Sequence, residues 1–224
     1  MRVLLSWSSG KDAAWALHVL RQRADVEVVG LLTTLNEAAD RVAMHGVRRS
    51  LVEVQAEAAG LPLRTVGLPW PCSNEAYEAR LADAFAAART DGVTHVAFGD
   101  LFLDDVRAYR ERQLEPTGLD PLFPLWGRDT HLLAREMLGA GLRAVLTCID
   151  PARLDPSFAG RPYDADLLAA LPEGIDPCGE HGEFHTLCHA GPMFVRPIPI
   201  ETGETVERSG FWFADVRPRH TRAV

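Results

Sequence analysis

Lysine is almost absent from this sequence: all but one of the 23 basic residues are arginine, and the exception is Lys11. A coding bias toward arginine replaces any lysine whose task is only to be positive, so the survivor marks a task that arginine cannot perform. Lysine offers a compact ammonium on a thin stem, whereas the planar guanidinium is wider and cannot enter a tight loop in the same way. Cysteine is scarce too. Cys72, Cys148, Cys178 and Cys188 are irregularly spaced in 224 residues, which excludes the dense disulfide framework of small secreted domains and makes reduced thiols the expectation. No run of about 18 uncharged apolar residues occurs, and Met1–Leu5 meets Ser6 too soon to form a signal-peptide core. The expectation is a soluble, cytoplasmic protein with no membrane partner. Thirty-one acidic residues outweigh the basic ones to give a net charge of −8, so the whole-molecule field does not attract nucleic acid.

What is present is a globular composition, 47% hydrophobic and 24% charged, sized for one large domain or two small ones sharing a core. Short Val/Leu-rich runs alternate with helical patterns, which is α/β grammar. Strands are expected at Val3–Leu5, Val26–Leu32, Leu63–Val66, His95–Phe98, Leu122–Leu125 and Ala144–Cys148. Their continuous apolar character suits a parallel sheet covered on both faces. Helices are expected at Ala13–Gln22, His45–Ala59, Asn74–Arg89, Asp105–Leu114 and Asp129–Leu138, with Ser73 as an N-cap and Gly60 and Gly139 as helix stops. After Cys148, Pro151, Pro156, Pro162, Pro172 and Pro177 break the pattern, and Ile198–Phe213 reads as strand, Thr-Gly-Glu turn, strand. The expected division is a sheet domain over 1–126 and a smaller C-terminal region over 127–224. The hairpin strands offer an edge for a homodimer.

The densest chemistry lies in the first loop. Strand Val3–Leu5 runs into Ser6-Trp7-Ser8-Ser9-Gly10-Lys11-Asp12 and then directly into a helix, leaving backbone N–H groups free for an anion. It is not the P-loop of the common NTPases, because Leu5 stands where the first glycine is required and Asp12 where Ser or Thr binds magnesium. Ser8-Ser9-Gly10-Lys11-Asp12-Ala13 resembles instead the SGGKDS loop of the ATP pyrophosphatases.

A second dense stretch is Cys178-Gly179-Glu180-His181-Gly182-Glu183-Phe184-His185-Thr186, followed by Gly191-Pro192-Met193-Phe194. Two readings stand. Cys178, His181, His185, Cys188 and His189 are all capable metal ligands, although the spacing matches neither HExxH nor paired CxxC. Alternatively this is a polar substrate loop whose Glu180 and Glu183 serve as acid/base groups or as ligands of ATP-bound Mg²⁺.

Together with Met44-His45, Gly99, Arg107 and Glu111, Pro124-Leu125-Trp126-Gly127-Arg128, Leu154-Asp155 and Gly160-Arg161, these blocks make the chain similar to the diphthine–ammonia ligase family. The resemblance implies a Rossmann-like parallel sheet with helices on both faces (HUP-type) plus a smaller α+β C-terminal domain. It also implies ATP and Mg²⁺ as cofactors and an adenylating amide ligase that turns ATP into AMP and pyrophosphate. Ser6, Ser8, Ser9, Gly10, Lys11, Asp12, Thr33, His45 and Gly99 would then hold the nucleotide. Arg107, Trp126, Gly179, Glu180, Gly182, Glu183, His185 and Thr186 would face the acceptor. Lys11 would offset charge on the departing pyrophosphate, Asp12 would hold magnesium or cap the helix, and Arg128 would bind phosphate or the acceptor carboxylate in a bidentate fork. Trp7 and Trp126 would wall the adenine pocket or simply pack. With no glutaminase-like segment, free ammonia is the implied nitrogen source.

The family pattern is broken at Ser9 and Ala13 in the loop, at Asp105 and Val106 before Arg107, and at His185, where the family carries an acid. The last three fall on the acceptor side. The implied acceptor is therefore either the diphthine carboxylate of elongation factor 2 or another carboxylate or small metabolite. A nucleotide-binding sensor without turnover and a tRNA-modifying enzyme are the alternatives of different class.

Overall fold

The structure, a computed structural model, describes residues 1–219; the last five residues of the expected 127–224 region lie outside the described residues. The first strand, β1 (Arg2–Ser6), feeds α1 (Lys11–Arg21), and β2 (Glu27–Asn36) follows beside it. Next come β3 (Arg41–Val42), α2 (Arg49–Ala59), β4 (Leu63–Leu68), α3 (Asn74–Thr90), β5 (His95–Ala97), α4 (Asp104–Leu114) and β6 (Asp120–Leu122). Strands β4, β2, β1, β5 and β6 lie side by side and parallel, with β3 antiparallel on the end of β2. Alternation within β1 feeds both faces of this sheet. Val3 and Leu5 join a core with α1 and α2, while Leu4 packs against Leu81 and Phe85 of α3 on the other face.

The chain steps from β1 outward to β2 and β4, then returns to the other side of β1 with β5. That reversal is a topological switch point, and ligands of open α/β sheets bind beyond the strand ends there. The Ser6–Gly10 turn and the Phe98–Leu103 turn both open onto it.

α5 (Thr130–Gly139) leads to a second sheet, made of β7 (Arg143–Ile149), β8 (Pro162–Tyr163), β9 (Phe184–Ala190), β10 (Ile200–Arg208) and β11 (Phe211–Pro218), with α6 (Ala165–Ala170) after β8. All its pairings are antiparallel: β7 sits between β9 on one side and β8 and β11 on the other, and β10 is the outer strand. One continuous core joins the two sheets, running from Val3 and Trp15 through Leu146 and Phe184 to Val216. No helix among the described residues is long and apolar enough to cross a membrane.

Several expected boundaries shift, each for a local reason. The second helix starts at Arg49, not His45, because Met44 (φ 61°) and Gly46 (φ 66°) take left-handed conformations that a helix cannot include. Strand β6 ends at Leu122, and Leu125 lies in a turn whose Trp126 N–H donates to Phe123 O. The Ala144–Cys148 strand belongs to the antiparallel sheet, not the parallel one. β9 occupies what reads in sequence as the end of a polar loop. Thr202-Gly203-Glu204 is an irregularity inside one long strand, and the hairpin turns at Ser209-Gly210. Gly139 is helical, the left-handed residue being Gly141 (φ 82°). Ser73 does cap α3, accepting from Ala76 N–H at 3.2 Å, and Gly60 does end α2 with φ 65°.

Candidate active site

At the switch point a cleft of about 270 Å³ opens between the β1–α1 turn, the β5–α4 turn and the loop before β9. It brings together Ser6, Ser8, Lys11, Asp12, His45, Gly99, Gly179, Glu180, His185 and Thr186. A larger hollow of about 860 Å³ lies between α5 and α6 and touches none of the first loop. Two glycines are explained by close approach. A Cβ on Gly10 would stand 2.9 Å from His45 Cε1, and one on Gly99 would stand 2.9 Å from the Ala13 nitrogen in the first turn of α1.

Lys11 is 1% exposed. Its Nζ donates to Asp12 Oδ2 at 2.9 Å and to Cys178 O, and lies 5.4 Å from the ring centres of both Tyr163 and Phe184. Burial works against the ammonium, but the Asp12 carboxylate more than compensates and holds Lys11 above its ordinary range. Its backbone N–H donates to Thr186 Oγ1 at 3.1 Å, tying the start of α1 to β9.

The opposite wall is organised by Asp176. Its Oδ1 accepts from Cys178 N–H at 2.9 Å and Glu180 N–H at 3.3 Å, and its Oδ2 accepts from Thr130 Oγ1 at 2.6 Å. Glu180 Oε1 in turn accepts from Leu101 N–H at 2.7 Å. Burial, reinforced by the nearby Asp12 and Asp100 carboxylates, pushes Glu180 up to about 7, so its proton moves at neutral pH. His45 and His185 pack against each other with ring centres 4.6 Å apart and planes tilted by 35°. Burial lowers His45 to about 4 and His185 to about 3, making both uncharged at neutral pH. Burial also pushes the Cys178 thiol up to about 12, which removes it as a nucleophile.

Other expected residues sit elsewhere. Thr33 is 1% exposed behind the loop, its hydroxyl donating to Trp7 O at 2.8 Å. Ser9 (φ 72°) is buried within the turn, and Gly10 forms its helix-side end. Trp7 packs edge-on against Phe194 in the core. The Arg107 guanidinium lies over Phe123 at 5.0 Å and Trp126 at 4.8 Å and pairs with Glu111, so Arg107 and Trp126 hold each other outside the cleft lining. Arg128 pairs with Glu136 of α5 instead of entering the cleft. Glu183 is 1% exposed and accepts from Asp176 N–H at 3.2 Å, so it braces the loop, and Gly182 (φ 83°) serves its turn.

The sequence reading missed Asp100, Arg110 and Gln55. Asp100 and Arg110 line the cleft and approach each other at 3.6 Å. Asp100 follows Gly99 at the carboxyl end of a central strand, and that position could have marked it; Arg110, two turns into α4, carried no signal. Asp12 Oδ1 and Asp100 Oδ2 are buried without a hydrogen-bond partner, Asp100 Oδ2 having only the Arg110 Nε at 3.6 Å, and these hard oxygens suit a divalent cation that arrives with a nucleotide. Among the described residues no group of three or more His, Cys, Asp or Glu side chains is placed to hold a metal ion unaided. That outcome goes against the metal reading of Cys178, His181, His185, Cys188 and His189.

A parallel sheet with its ligand cleft at the switch point, closed by an antiparallel second sheet, defines an α/β protein of two-sheet construction. Within that class the family is specific. The family model described as the diphthamide synthase N-terminal domain matches residues 1–121, and that described as the diphthamide synthase C-terminal domain matches residues 129–218. The chain belongs to the diphthamide synthase family. It is 27% identical to the diphthine–ammonia ligase of Rattus norvegicus over 96% of this chain and 89% of that one. It is 29% identical to that of Danio rerio, over 96% and 92%. For the Schizosaccharomyces pombe protein of the same name the identity is 25%, over 93% of this chain and 38% of the longer relative.

Proposed function

We propose that this chain is an ATP-dependent amide ligase that adenylates a carboxylate and passes it to free ammonia, with residues 1–126 supplying the nucleotide side and 127–224 the acceptor side. The observation that carries this is the convergence of the buried Lys11 and the half-buried Asp12 and Asp100 with a Glu180 whose carboxyl is pushed up to about 7, in one cleft at the switch point. The names of the relatives support diphthine as the acceptor and ammonia as the nitrogen donor. Elongation factor 2 is the carrier of that acceptor in this reading.

The phosphates of ATP lie on the Ser8–Asp12 turn, where the open end of α1 presents N–H groups and positive dipole. An acceptor carboxylate oxygen attacks the α-phosphorus and the bond to the β-phosphate oxygen breaks, so pyrophosphate leaves. Lys11, already charged and dry, meets the growing charge without reorganisation. Asp12 Oδ1 and Asp100 Oδ2 are the atoms that would hold the Mg²⁺ of a metal–ATP complex, which would neutralise phosphate charge there. Ammonia then attacks the acyl carbon, AMP departs, and Glu180 takes the proton shed by nitrogen.

The test is product analysis with ATP, Mg²⁺ and ammonium, supplying either diphthine-bearing elongation factor 2 or a desalted pool of small carboxylates, with Lys11→Ala as control. AMP plus pyrophosphate, dependent on an acceptor and lost in Lys11→Ala, is the expected result; the arm that responds names the acceptor. ADP plus phosphate would end the α-phosphorus mechanism.

A further inference from the structure

Gln55 of α2 is fully buried, and its carboxamide makes three hydrogen bonds. Oε1 accepts from the Trp7 indole Nε1–H at 2.9 Å, and Nε2 donates to Ser9 O at 2.9 Å and to Cys188 O at 2.6 Å. It touches nothing in the cleft; its partners stand directly behind it. The Ser9 carbonyl is the centre of this arrangement, because it also accepts from Cys188 N–H at 2.9 Å. Ser9 is left-handed at φ 72°, a conformation that costs a residue with a Cβ and that its own hydroxyl, buried without a partner, does nothing to hold. The two donors on its carbonyl are what hold it.

The C=O and the following N–H of a planar trans peptide point in opposite directions. A Ser9 carbonyl gripped from behind therefore sends the Gly10 N–H forward, to the side where it reaches the cleft-lining Ser8 Oγ at 3.3 Å. The Trp7–Ser8 peptide, two back along the chain, is treated the same way: Thr33 Oγ1 holds Trp7 O at 2.8 Å, which turns the Ser8 N–H forward. We propose that Gln55, with Thr33, is a positioning residue that aims the Ser8 and Gly10 amides into the cleft as donors to the phosphates of ATP. The proposal rests on the reading that those phosphates lie on this turn.

Gln55→Met keeps side-chain volume but removes both donors and the acceptor. The expected result is a folded protein that binds ATP about tenfold or more weakly, the cost of misaligned amide donors. Ser9→Gly, which relieves the left-handed strain, is expected to recover much of the loss when it is combined with Gln55→Met. Native-like ATP affinity in Gln55→Met, or a loss that Ser9→Gly leaves untouched, overturns the proposal, since a merely structural glutamine would give additive effects. If Gln55→Met fails to fold, Thr33→Val tests the same device at the Trp7–Ser8 peptide and is expected to weaken ATP binding. Should the native chain bind no ATP, the reading of the site fails, yet the positioning stays testable. The NMR backbone shifts of Ser9 in the free protein report its left-handed conformation, which Gln55→Met is expected to lose and whose persistence would refute the proposal.

Discussion

At the scale of single residues, the one lysine is also the one cation that, among the described residues, the fold buries completely. Its ammonium fits between two aromatic rings, a carbonyl and a carboxylate, a space that a branched guanidinium would overfill. Composition alone therefore located it. Glu180 yields the sharpest pH statement. Its carboxyl is pushed up to about 7 by burial and neighbouring carboxylates, so it is protonated below that pH and free to take a proton above it. If it is the base for ammonia, the rate rises with pH through about 7, and Glu180→Gln removes that limb while leaving ATP binding largely in place. A pH–rate profile with saturating ATP measures this; an unchanged limb in the variant would show that another group titrates. The two imidazoles in the same cleft were legible as polar residues near the site, but not as an uncharged, tilted ring pair. Their partner contacts come from chain segments 140 residues apart, and no local pattern encodes burial of that kind.

Among the elements, the strands and helices that flank the first loop follow from apolar runs and caps, and their core positions match the hydrophobic pattern closely. β9 was not legible, because glycines and carboxylates precede it and its alternation over Phe184–Ala190 is short. Its strand character is supplied by pairing with β7, which is a long-range fact. The loop before it depends on one side chain. Asp176 satisfies Cys178 N–H, Glu180 N–H and the Thr130 hydroxyl at once, and so fixes both the carbonyl that holds Lys11 and the carboxyl of Glu180. Asp176→Ala leaves those donors without acceptors and is expected to cost about 2 kcal/mol of stability. The larger effect falls on turnover, which should drop by more than ATP affinity, since Asp176 makes no hydrogen bond to the Ser8–Asp12 turn itself. Denaturant unfolding and a comparison of kcat with the ATP Kd check it. Equal losses in both would mean that the loop has no separate role in the chemistry. Arg128 and Arg107 teach the converse lesson: Arg128 read as an anion binder and Arg107 as an acceptor-side residue, and both pair with neighbouring carboxylates outside the cleft lining.

For the molecule as a whole, the question is what keeps the second sheet seated on the first, since the cleft exists only between them. Part of the answer is the shared core, and part is a charged junction. Asp215 of β11 accepts from Arg41 of β3 and from Arg48 at the start of α2, each at 2.8 Å, and from Arg217 at 2.8 Å. Arg41 also donates to Gly46 O at 2.6 Å, so the junction anchors the loop that carries His45 over Gly10. Burial alone would raise the Asp215 carboxyl, but hydrogen bonds from Arg48, Arg41 and Arg217 hold it well below the usual carboxylate range. Such a group stabilises the fold at any pH above its unfolded value near 4 and withdraws that support as pH falls toward the lower folded value. Asp215→Ala sets three arginines against one another without a counterion. Because Arg48 and Arg217 are 38% and 55% exposed, water and salt screen much of that repulsion, and the expected loss at neutral pH is about 1–2 kcal/mol. The native chain should then lose more stability than Asp215→Ala on going from about pH 5 to about pH 2, so that the two curves converge in acid. Urea unfolding across that range measures it. Parallel curves would mean that the carboxylate contributes no pH-dependent support, and that the apolar core alone seats the second sheet over the cleft.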